Sequence, residues 1–270
     1  MISELDALLD APLPPGRIVP AGPDGPDGPV LWLSDGPASP GLWARARAEH
    51  ARTGLWPLLM DSRNPGDGEF RPWASGELSP GRTTSPGEHD PAGLLAGWWR
   101  DHTVVDEDDD PLPPDGRAAV TAPFGQRWPG LAPALPPGPD PDVEAAEYAE
   151  FFASLRPHVR LGLVPAACGA DALTVVGWEG PVNQDNDTAK FSAVLRTWER
   201  RFGARVVAVG FDTLHLSVAT PPERPEDALL VAAEHFAFCP DNIWQGARPH
   251  TLASYAERLV GACTWQFWWD

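Results

Sequence analysis

The sequence has few cysteines, a single lysine and no long apolar run. Its 270 residues contain only three cysteines, Cys168, Cys239 and Cys263, with no CxxC pair. An odd, scattered set of three argues against a disulfide framework and against a four-cysteine zinc site. We therefore expect no bound metal and no other cofactor.

Membrane and secretion signals are absent too. The chain has no stretch of 18 successive apolar residues, which excludes an ordinary membrane-spanning helix. The first ten residues, MISELDALLD, have neither a cationic region nor a long apolar core, so they do not resemble a secretory signal. These features predict a cytoplasmic protein with no membrane partner.

Motifs of common enzyme and nucleic-acid-binding classes are also missing. The sequence contains no glycine-rich phosphate loop, no GxSxG, no HExxH, no Rossmann fingerprint and no basic patch. Its net charge of −18 repels a phosphate backbone. We expect no nucleic-acid partner, and we expect any protein partner to be basic.

Proline, glycine and tryptophan are abundant, with 33, 26 and 13 copies. Residues 1–150 hold 25 of the prolines and a charge of −15, whereas residues 151–270 hold 8 prolines and a charge of −3. Because proline fixes φ and removes a backbone donor, the proline-rich runs 20–29, 106–116 and 131–142 are predicted to be loops. The sequence thus divides into an acidic, Pro/Gly-rich N-terminal region and a C-terminal domain over 151–270.

The N-terminal region contains a predicted β-α-β segment over residues 29–61. "PVLWLSD" (29–35) and "LWPLLMD" (55–61) are typical of strands, and residues 39–54 between them are predicted to form a helix. Residues 94–102 predict a short helix. The acidic run Asp106 to Asp110 lacks the ligand spacing and central glycine of a calcium loop, so a solvated loop is favoured.

The C-terminal domain has a more regular pattern. Residues 188–202 show an apolar stripe at helical spacing, with Asp187 placed to cap the start and Gly203 the end. The other predicted elements are strand 159–166, helix 170–178, a hairpin of strands 204–212 and 213–219, helix 225–238, helix 251–261 and strand 263–270.

The order β-α-α-β-β-α-α-β predicts an α+β sandwich of the ferredoxin-like type with extra helices. Val206, Val207 and Val209 make one strand apolar on both faces, so both sides of the sheet should be covered there. We expect the N-terminal α/β part to pack against the C-terminal sheet.

Four segments carry a resemblance to a known family. "GWEGPVN", "VLRTWERRFGARVVAVGFDTLHLSVA", "AEHFAFCPDNIWQG" and "FWWD" occur in this order and resemble an uncharacterised bacterial family, domain of unknown function 4253. The resemblance covers roughly residues 157–270, and "TGLWPLLM" resembles a segment often found ahead of it. The family has no established activity, so the resemblance implies no function.

The densest run of reactive side chains is "EHFAFCPDNIWQG", residues 234–246. In an uninterrupted helix, His235 and Cys239 would share a face, which suits two metal ligands or a thiolate with its base, with Asp241 orienting. Pro240 disfavours a helix beyond Phe238, so a structural helix terminus is the preferred interpretation. Asn242 and Gln245 would then shape the turn and the exit loop.

Two further candidate sites are a loop and the C-terminal strand. In "NQDNDT" (183–188), Asn183, Asp185 and Asp187 could hold a cation or a polar ligand, but capping of the following helix by Asp187 is favoured. In the C-terminal strand, we assign Cys263, Trp265, Phe267 and Trp269 to the core face, so Trp268 lies on the other face. Trp268 could bind a partner there, but burial of its ring is favoured.

Two functional hypotheses follow. The first is a non-catalytic interaction protein of a regulatory or immunity type, favoured by the strong negative charge and the missing catalytic motifs. The second is an enzyme that uses His235, Cys239 and Asp241. Grouping of His235 and Cys239 with Asp212 and Asn183 around one cleft would favour the enzyme.

Overall fold

The structure is a computed structural model that describes residues 13–22, 28–64, 66, 69–104 and 114–270. The acidic run at 106–110 lies outside these residues, as do residues 23–27 of the proline-rich run at 20–29. Within the described parts the chain combines helices with one mixed sheet, which confirms the α+β class.

The sheet contains seven strands, numbered in chain order. They are β1 (Gly16–Pro20), β2 (Pro29–Ser34), β3 (Leu55–Met60), β4 (Arg160–Pro165), β5 (Ala204–Val209), β6 (Thr213–Val218) and β7 (Thr264–Trp268).

The described helices are α1 (Leu42–Ala48), α2 (His50–Thr53), α3 (Pro91–Thr103), α4 (Pro114–Val120), α5 (Pro141–Leu155), α6 (Gly169–Val176), α7 (Thr188–Phe202), α8 (Pro225–Phe238), α9 (Asp241–Trp244) and α10 (Leu252–Leu259). Short 3₁₀ turns lie at Pro80–Arg82 and Pro86–Glu88. Among the described residues, no helix is both long and apolar enough to cross a membrane.

The strand order is β1-β2-β4-β3-β5-β6-β7. Strand β3, from the N-terminal region, lies between β4 and β5, antiparallel to β4 and parallel to β5. Every other pairing in the sheet is antiparallel. Strands β2 and β3 of the predicted β-α-β segment are therefore not neighbours, because β4 lies between them.

The ferredoxin-like strand order is not found. In a split βαβ fold, each helical crossover joins two parallel strands, and another strand lies between those two. Here β6 and β7 are direct antiparallel neighbours. Strand β4 runs antiparallel to β3, and β3 runs parallel to β5, so the crossover from β4 to β5 joins antiparallel strands. Element order predicted the class, but the inserted β3 changes the topology.

Both faces of the sheet are covered, as the valines of β5 predict. Val206 and Val209 pack into the larger core, with α3, α6, α7, α8 and α10. Val207 packs into a second core on the opposite face, with α1 and α5. The N-terminal region therefore supplies strands of the sheet itself in addition to helices that cover it.

Several predicted boundaries agree with the structure. Helix α7 spans residues 188–202, with the Asp187 side chain accepting from the Ala189 amide and Gly203 in the left-handed conformation. Helix α8 spans residues 225–238. The predicted helix 39–54 is two helices that meet at Glu49.

Other boundaries were wrong or were missed. Strand β1 and helix α5 had not been predicted. Helices α4 and α5 begin inside runs predicted to be loops, and each has a proline in its first turn. Proline is tolerated there because the N–H groups of the first turn form no hydrogen bond within the helix. Cys263 precedes β7 and is exposed, whereas Trp265, Phe267 and Trp269 are buried as predicted.

Candidate functional site

The stretch 234–246 forms the end of α8 and the short helix α9. Helix α8 stops at Phe238, and the Cys239 amide donates to the His235 carbonyl as the last turn closes. Pro240 then begins a new turn, with the amides of Ile243 and Trp244 donating to its carbonyl. The proline ends α8 where the sequence predicted it would end.

His235 lies in an aromatic environment and has no exposed surface. Its ring is 4.5 Å from Trp265, 4.8 Å from Phe267 and 5.0 Å from Trp198, measured between centroids. Its Nδ1 is 3.0 Å from the Tyr255 hydroxyl. Burial, helped by the charge of Arg201, lowers the pKa of His235 to about 3. The ring is therefore neutral at physiological pH and unreachable from solvent.

Cys239 is also fully buried. Its thiol donates to the Trp268 carbonyl at 3.0 Å and lies 3.6 Å from the Asn242 side-chain oxygen. Burial raises the pKa of the thiol far above its usual range. Because the thiolate is the nucleophile and the metal ligand, this environment suits packing and suppresses both reactions.

Asn242 ties α9 to the edge strand β7. Its amide group donates to the Gln266 carbonyl at 2.7 Å and to the Tyr255 hydroxyl at 3.1 Å, and its carbonyl oxygen accepts from the Trp268 amide at 3.3 Å. Trp268 itself is half-buried.

Asp241 and Gln245 lie at the surface of the same region. Asp241 accepts from Gln245 at 3.1 Å and from the Asp270 amide at 3.2 Å. Both contacts hold the local backbone and side chains together.

Glu234, which the sequence analysis did not single out, is fully buried and fully hydrogen-bonded. Its carboxylate accepts two bonds from Arg201 at 2.6 and 2.7 Å, one from the Trp198 indole at 2.7 Å and one from the Ala132 amide at 2.7 Å. This network fixes the proline-rich run 131–142 to α7 and α8. Glu234 lies three residues after Val231 and four residues before Phe238, on the apolar stripe of α8. A carboxylate at a position where the helix pattern predicts an apolar side chain was the signal that could have identified it.

The loop 183–188 caps α7 and joins it to the N-terminal region. Asp187 accepts from the Ala189 amide at 3.2 Å, the Thr84 amide at 3.1 Å and the Thr84 hydroxyl at 2.6 Å. Burial alone would raise the pKa of Asp187, but these hydrogen bonds outweigh it and lower the pKa. The predicted cap is confirmed.

Asn183 and Asp185, the other two candidates in this loop, have separate partners. Asp185 pairs with Lys190 at 2.6 Å, and Asn183 donates to the Asp270 carbonyl at 2.6 Å.

A group of titratable residues, of which Asp61 and His215 are buried, lies on the opposite face of the sheet, beyond the end of β3. The Asp61 carboxylate is 2.6 Å from His158 Nε2 and 3.5 Å from Arg156. Nearby, His215 packs on Phe152 at 4.6 Å, and burial lowers its pKa to about 4. Phe152 lies in α5, and Arg156 and His158 follow it directly, so we assign these contacts to the linkage between α5 and the sheet.

A cleft of about 500 Å³ opens beyond the carboxyl ends of the parallel strands β3 and β5, the usual position for ligands in sheets with parallel strands. We call it the β3/β5 cleft. It brings together the candidates Asn183 and Asp212, but His235 and Cys239 do not line it. Its described lining consists of Gly22, Arg63, Pro72, Gly76, Glu77, Leu78, Ser79, Arg82, Glu179, Gly180, Val182, Asn183, Phe211, Asp212, Trp269 and Asp270.

Charged side chains contact an aromatic ring in the β3/β5 cleft. The guanidiniums of Arg63 and Arg71 lie over the Phe211 ring, 4.7 and 5.2 Å from its centroid. Arg71 forms an ion pair with Glu77, and its hydrogen bonds lower the pKa of that carboxyl. Arg82 is 3.5 Å from Glu179, and both residues line the cleft.

The chemistry available in the cleft is that of charge and aromatic contact. Among its described lining residues there is no cysteine, histidine, lysine or tyrosine, and Ser79 supplies the one hydroxyl. In the part of the chain that the structure describes, no three His, Cys, Asp or Glu side chains group so that they could hold a metal ion.

Comparison with known proteins identifies the C-terminal part of the chain. Residues 160–270 match the family model described as Domain of unknown function (DUF4253), which confirms the resemblance seen in the sequence. The match begins at the first residue of β4 and extends through β7. No curated protein and no solved structure matches the chain.

Proposed function

We propose that this protein, whose residues 160–270 match the model of the DUF4253 family, is a non-catalytic cytoplasmic protein of a regulatory or immunity type. It binds a basic partner protein, and a cationic segment of that partner enters the β3/β5 cleft.

The observation that carries the proposal is the lining of the cleft. Four carboxylates, on Glu77, Glu179, Asp212 and Asp270, line the cleft together with two guanidiniums, on Arg63 and Arg82. The Phe211 ring, which also lines the cleft, is already in contact with arginine side chains of the chain itself. A lining with more carboxylates than guanidiniums and an aromatic ring favours arginine and lysine side chains, through ion pairing and cation–π contact.

The charge of the whole molecule supports the same kind of partner. A net charge of −18 attracts cationic proteins and speeds their association. Salt screens that attraction over a Debye length of about 8 Å at physiological ionic strength. The unpaired state of all three cysteines agrees with a reducing compartment.

The catalytic alternative around His235, Cys239 and Asp241 has less support. A thiol enzyme needs a reachable thiolate and a base that can accept its proton. The Cys239 thiol is buried and bonded to a backbone carbonyl, and the His235 ring is enclosed by aromatic side chains.

The test first captures a partner with the unmodified protein and then compares the binding of that partner to two variants. The intact protein is immobilised and exposed to native lysate at low salt, and the bound basic proteins are eluted with salt and identified. Binding of the purified partner is then measured with Glu179→Gln/Asp212→Asn. Each lost charge contributes on the order of 1 kcal/mol at contact, so we expect affinity to fall about tenfold or more.

The matched control is Glu147→Gln/Glu257→Gln, which removes the same two charges from exposed positions on α5 and α10. The control should bind as the unmodified protein does. Equal losses in both variants would mean that only net charge matters and that the cleft is not the site. The proposal would be overturned in favour of an enzyme by two results together. The protein would bind no basic protein, and it would show an enzymatic activity that Cys239→Ala abolishes.

A further inference from the structure

The aromatic ring of Phe211 in the β3/β5 cleft is in contact with an arginine that also lines the cleft. The guanidinium carbon of Arg63 is 4.7 Å from the centroid of the Phe211 ring. Arg63 is exposed and Phe211 is half-buried. A guanidinium within about 6 Å of a ring centroid makes a cation–π contact. The cleft therefore contains a place for an arginine side chain, and a residue of the chain itself occupies it.

A second arginine over the same ring, Arg71, is held more firmly. Its guanidinium carbon is 5.2 Å from the centroid of Phe211, and its Nε donates to Glu77 at 2.8 Å within an ion pair. Arg71 is not among the described lining residues of the cleft. Among the described residues, no carboxylate lies within ion-pair distance of Arg63. Arg63 is therefore the arginine that a competing cation entering the cleft displaces from the ring.

A ring beside carboxylates distinguishes the two basic side chains. A guanidinium is planar, stacks on an aromatic face and binds a carboxylate through two parallel hydrogen bonds, whereas an ammonium is a compact, strongly hydrated point charge. The cleft offers both features, because Asp212 directly follows Phe211 in the chain and its carboxylate belongs to the same lining. This combination favours arginine over lysine.

We propose that the β3/β5 cleft binds arginine in preference to lysine, and that Arg63 occupies the place over Phe211 that an arginine of the partner takes. This inference rests on the function proposed above and specifies the side chain that the cleft recognises. The incoming guanidinium displaces Arg63 from the ring. Arg63 is thus an intramolecular competitor, and its removal strengthens the binding of arginine.

The test uses two peptides of equal length and charge, hexa-arginine and hexa-lysine. Each is titrated into the intact protein by calorimetry at about 0.15 M salt, where long-range attraction is largely screened. A net charge of −18 also attracts both peptides to other surfaces. Each titration is therefore repeated with the cleft variant Glu179→Gln/Asp212→Asn and with the exposed control Glu147→Gln/Glu257→Gln. We expect the cleft variant, and not the control, to lose affinity for both peptides.

Three variants separate recognition of arginine from attraction of charge. Phe211→Leu removes the ring, keeps an apolar side chain and should reduce the preference for hexa-arginine about threefold. Arg63→Met removes the competitor at an exposed position and should strengthen hexa-arginine about threefold more than hexa-lysine. The matched control Arg82→Met removes the same charge from another position of the lining, so it should strengthen both peptides by one factor.

Failure of this inference and failure of the proposed function give different results. If Glu179→Gln/Asp212→Asn binds both peptides as the unmodified protein does, the cleft is not the site and both proposals are overturned. If that variant loses both peptides but folded Phe211→Leu keeps the full preference for hexa-arginine, the cleft binds cations without selecting arginine. Equal effects of Arg63→Met and Arg82→Met on the preference would lead to the same conclusion. In these two cases only the present inference is overturned.

Discussion

Burial at the end of α8 changes the chemistry of two side chains that would be reactive in water. His235 and Cys239 have no exposed surface, and burial is the largest cause of both pKa shifts, downward for the imidazole and upward for the thiol. Both shifts keep the neutral form, which is the form that an apolar environment favours. At the scale of the residue, these groups are core side chains with one hydrogen bond each to a close neighbour.

We predict that Cys239 resists alkylation in the folded protein. Native protein treated with iodoacetamide at pH 8 and analysed by mass spectrometry should carry the label on the exposed Cys263 and not on Cys239, because the reagent cannot reach Cys239 and its thiolate is not populated. In denaturant both should react. Labelling of Cys239 at the rate of Cys263 in native protein would show an accessible thiol and would revive the enzyme hypothesis.

We predict that Glu234→Gln strongly destabilises the protein. The substitution leaves the largely buried guanidinium of Arg201 without its counter-charge, and breaking a buried pair in this way costs about 3 to 5 kcal/mol. Urea denaturation measures the change in the free energy of unfolding. Glu257→Gln, at an exposed position, should change it by less than about 0.5 kcal/mol. Similar small changes in both variants would contradict the network described for Glu234.

At the scale of the element, strand β7 shows how alternation separates core from edge. Phe267 is fully buried and stacks on Trp198 with centroids 5.4 Å apart, whereas its neighbour Trp268 is half-buried on the other face. Trp268 nevertheless contributes to the structure through its backbone, whose carbonyl accepts from Cys239 and whose amide donates to Asn242.

We predict unequal effects of alanine at these adjacent positions. Phe267→Ala should lower the free energy of unfolding by about 3 to 5 kcal/mol, as expected when a ring is removed from a packed core. Trp268→Ala removes a larger ring but opens no enclosed cavity and keeps both backbone bonds, so its cost should be smaller. Thermal and urea unfolding of the two variants make the comparison. A larger loss for Trp268→Ala would place Trp268 in an interface that the described residues do not show.

At the scale of the whole molecule, the insertion of β3 decides which part of the chain can fold alone. Leu59 of β3 pairs with Ala208 of β5 on one side and with Leu161 of β4 on the other. Without the N-terminal region, β4 and β5 lose the strand that joins them and expose unpaired backbone groups.

We predict that residues 157–270 do not fold on their own, although they include the whole family match. Expressed alone, this fragment should lack a cooperative thermal transition and should bind a dye specific for exposed apolar surface. Co-expression with residues 1–156 should restore a soluble complex. A cooperative melt of the isolated fragment, with the near-ultraviolet circular dichroism of its tryptophans intact, would show that β3 is dispensable.

We also predict that stability falls as the solution is acidified below pH 6.5. Folding lowers the pKa of His235 to about 3 and of His215 to about 4 from an ordinary value of 6.5. The unfolded chain therefore takes up these protons first, so the stabilisation is complete above pH 6.5 and is lost as pH falls toward the folded values. At about 1.4 kcal/mol per pH unit, each histidine should cost about 2 kcal/mol by pH 5.

Urea denaturation between pH 8 and pH 5 tests this prediction, because most carboxylates stay ionised in that range. The slope of stability against pH should become smaller in His215→Phe but should not vanish, because burial also lowers the pKa of His235 and of His102. A flat profile from pH 8 to pH 5 would contradict the burial of these imidazoles.

The sequence by itself determined the local elements of the C-terminal part. The apolar stripe of α7, its cap at Asp187, its end at Gly203, and the end of α8 before Pro240 are each encoded within a few residues, because helix period, capping and the geometry of proline act over one or two turns. The same local signals were weak where elements were missed. Helix α5 buries a narrow stripe of Ala145, Ala149 and Phe152, and β1 is five residues long beside proline-rich loops.

Only the tertiary structure decided the strand order and the composition of the sites. Strand β3 pairs with β5 although Leu59 and Ala208 are far apart along the chain, and no periodicity within either strand specifies that neighbour. The same long-range contacts bring Asn183 and Asp212 to one cleft, bury His235 among rings from α7 and β7, and place His102 beside Trp244. The physical reason is that burial and proximity are properties of packed surfaces from distant segments, whereas the sequence pattern reports the preferences of each segment alone.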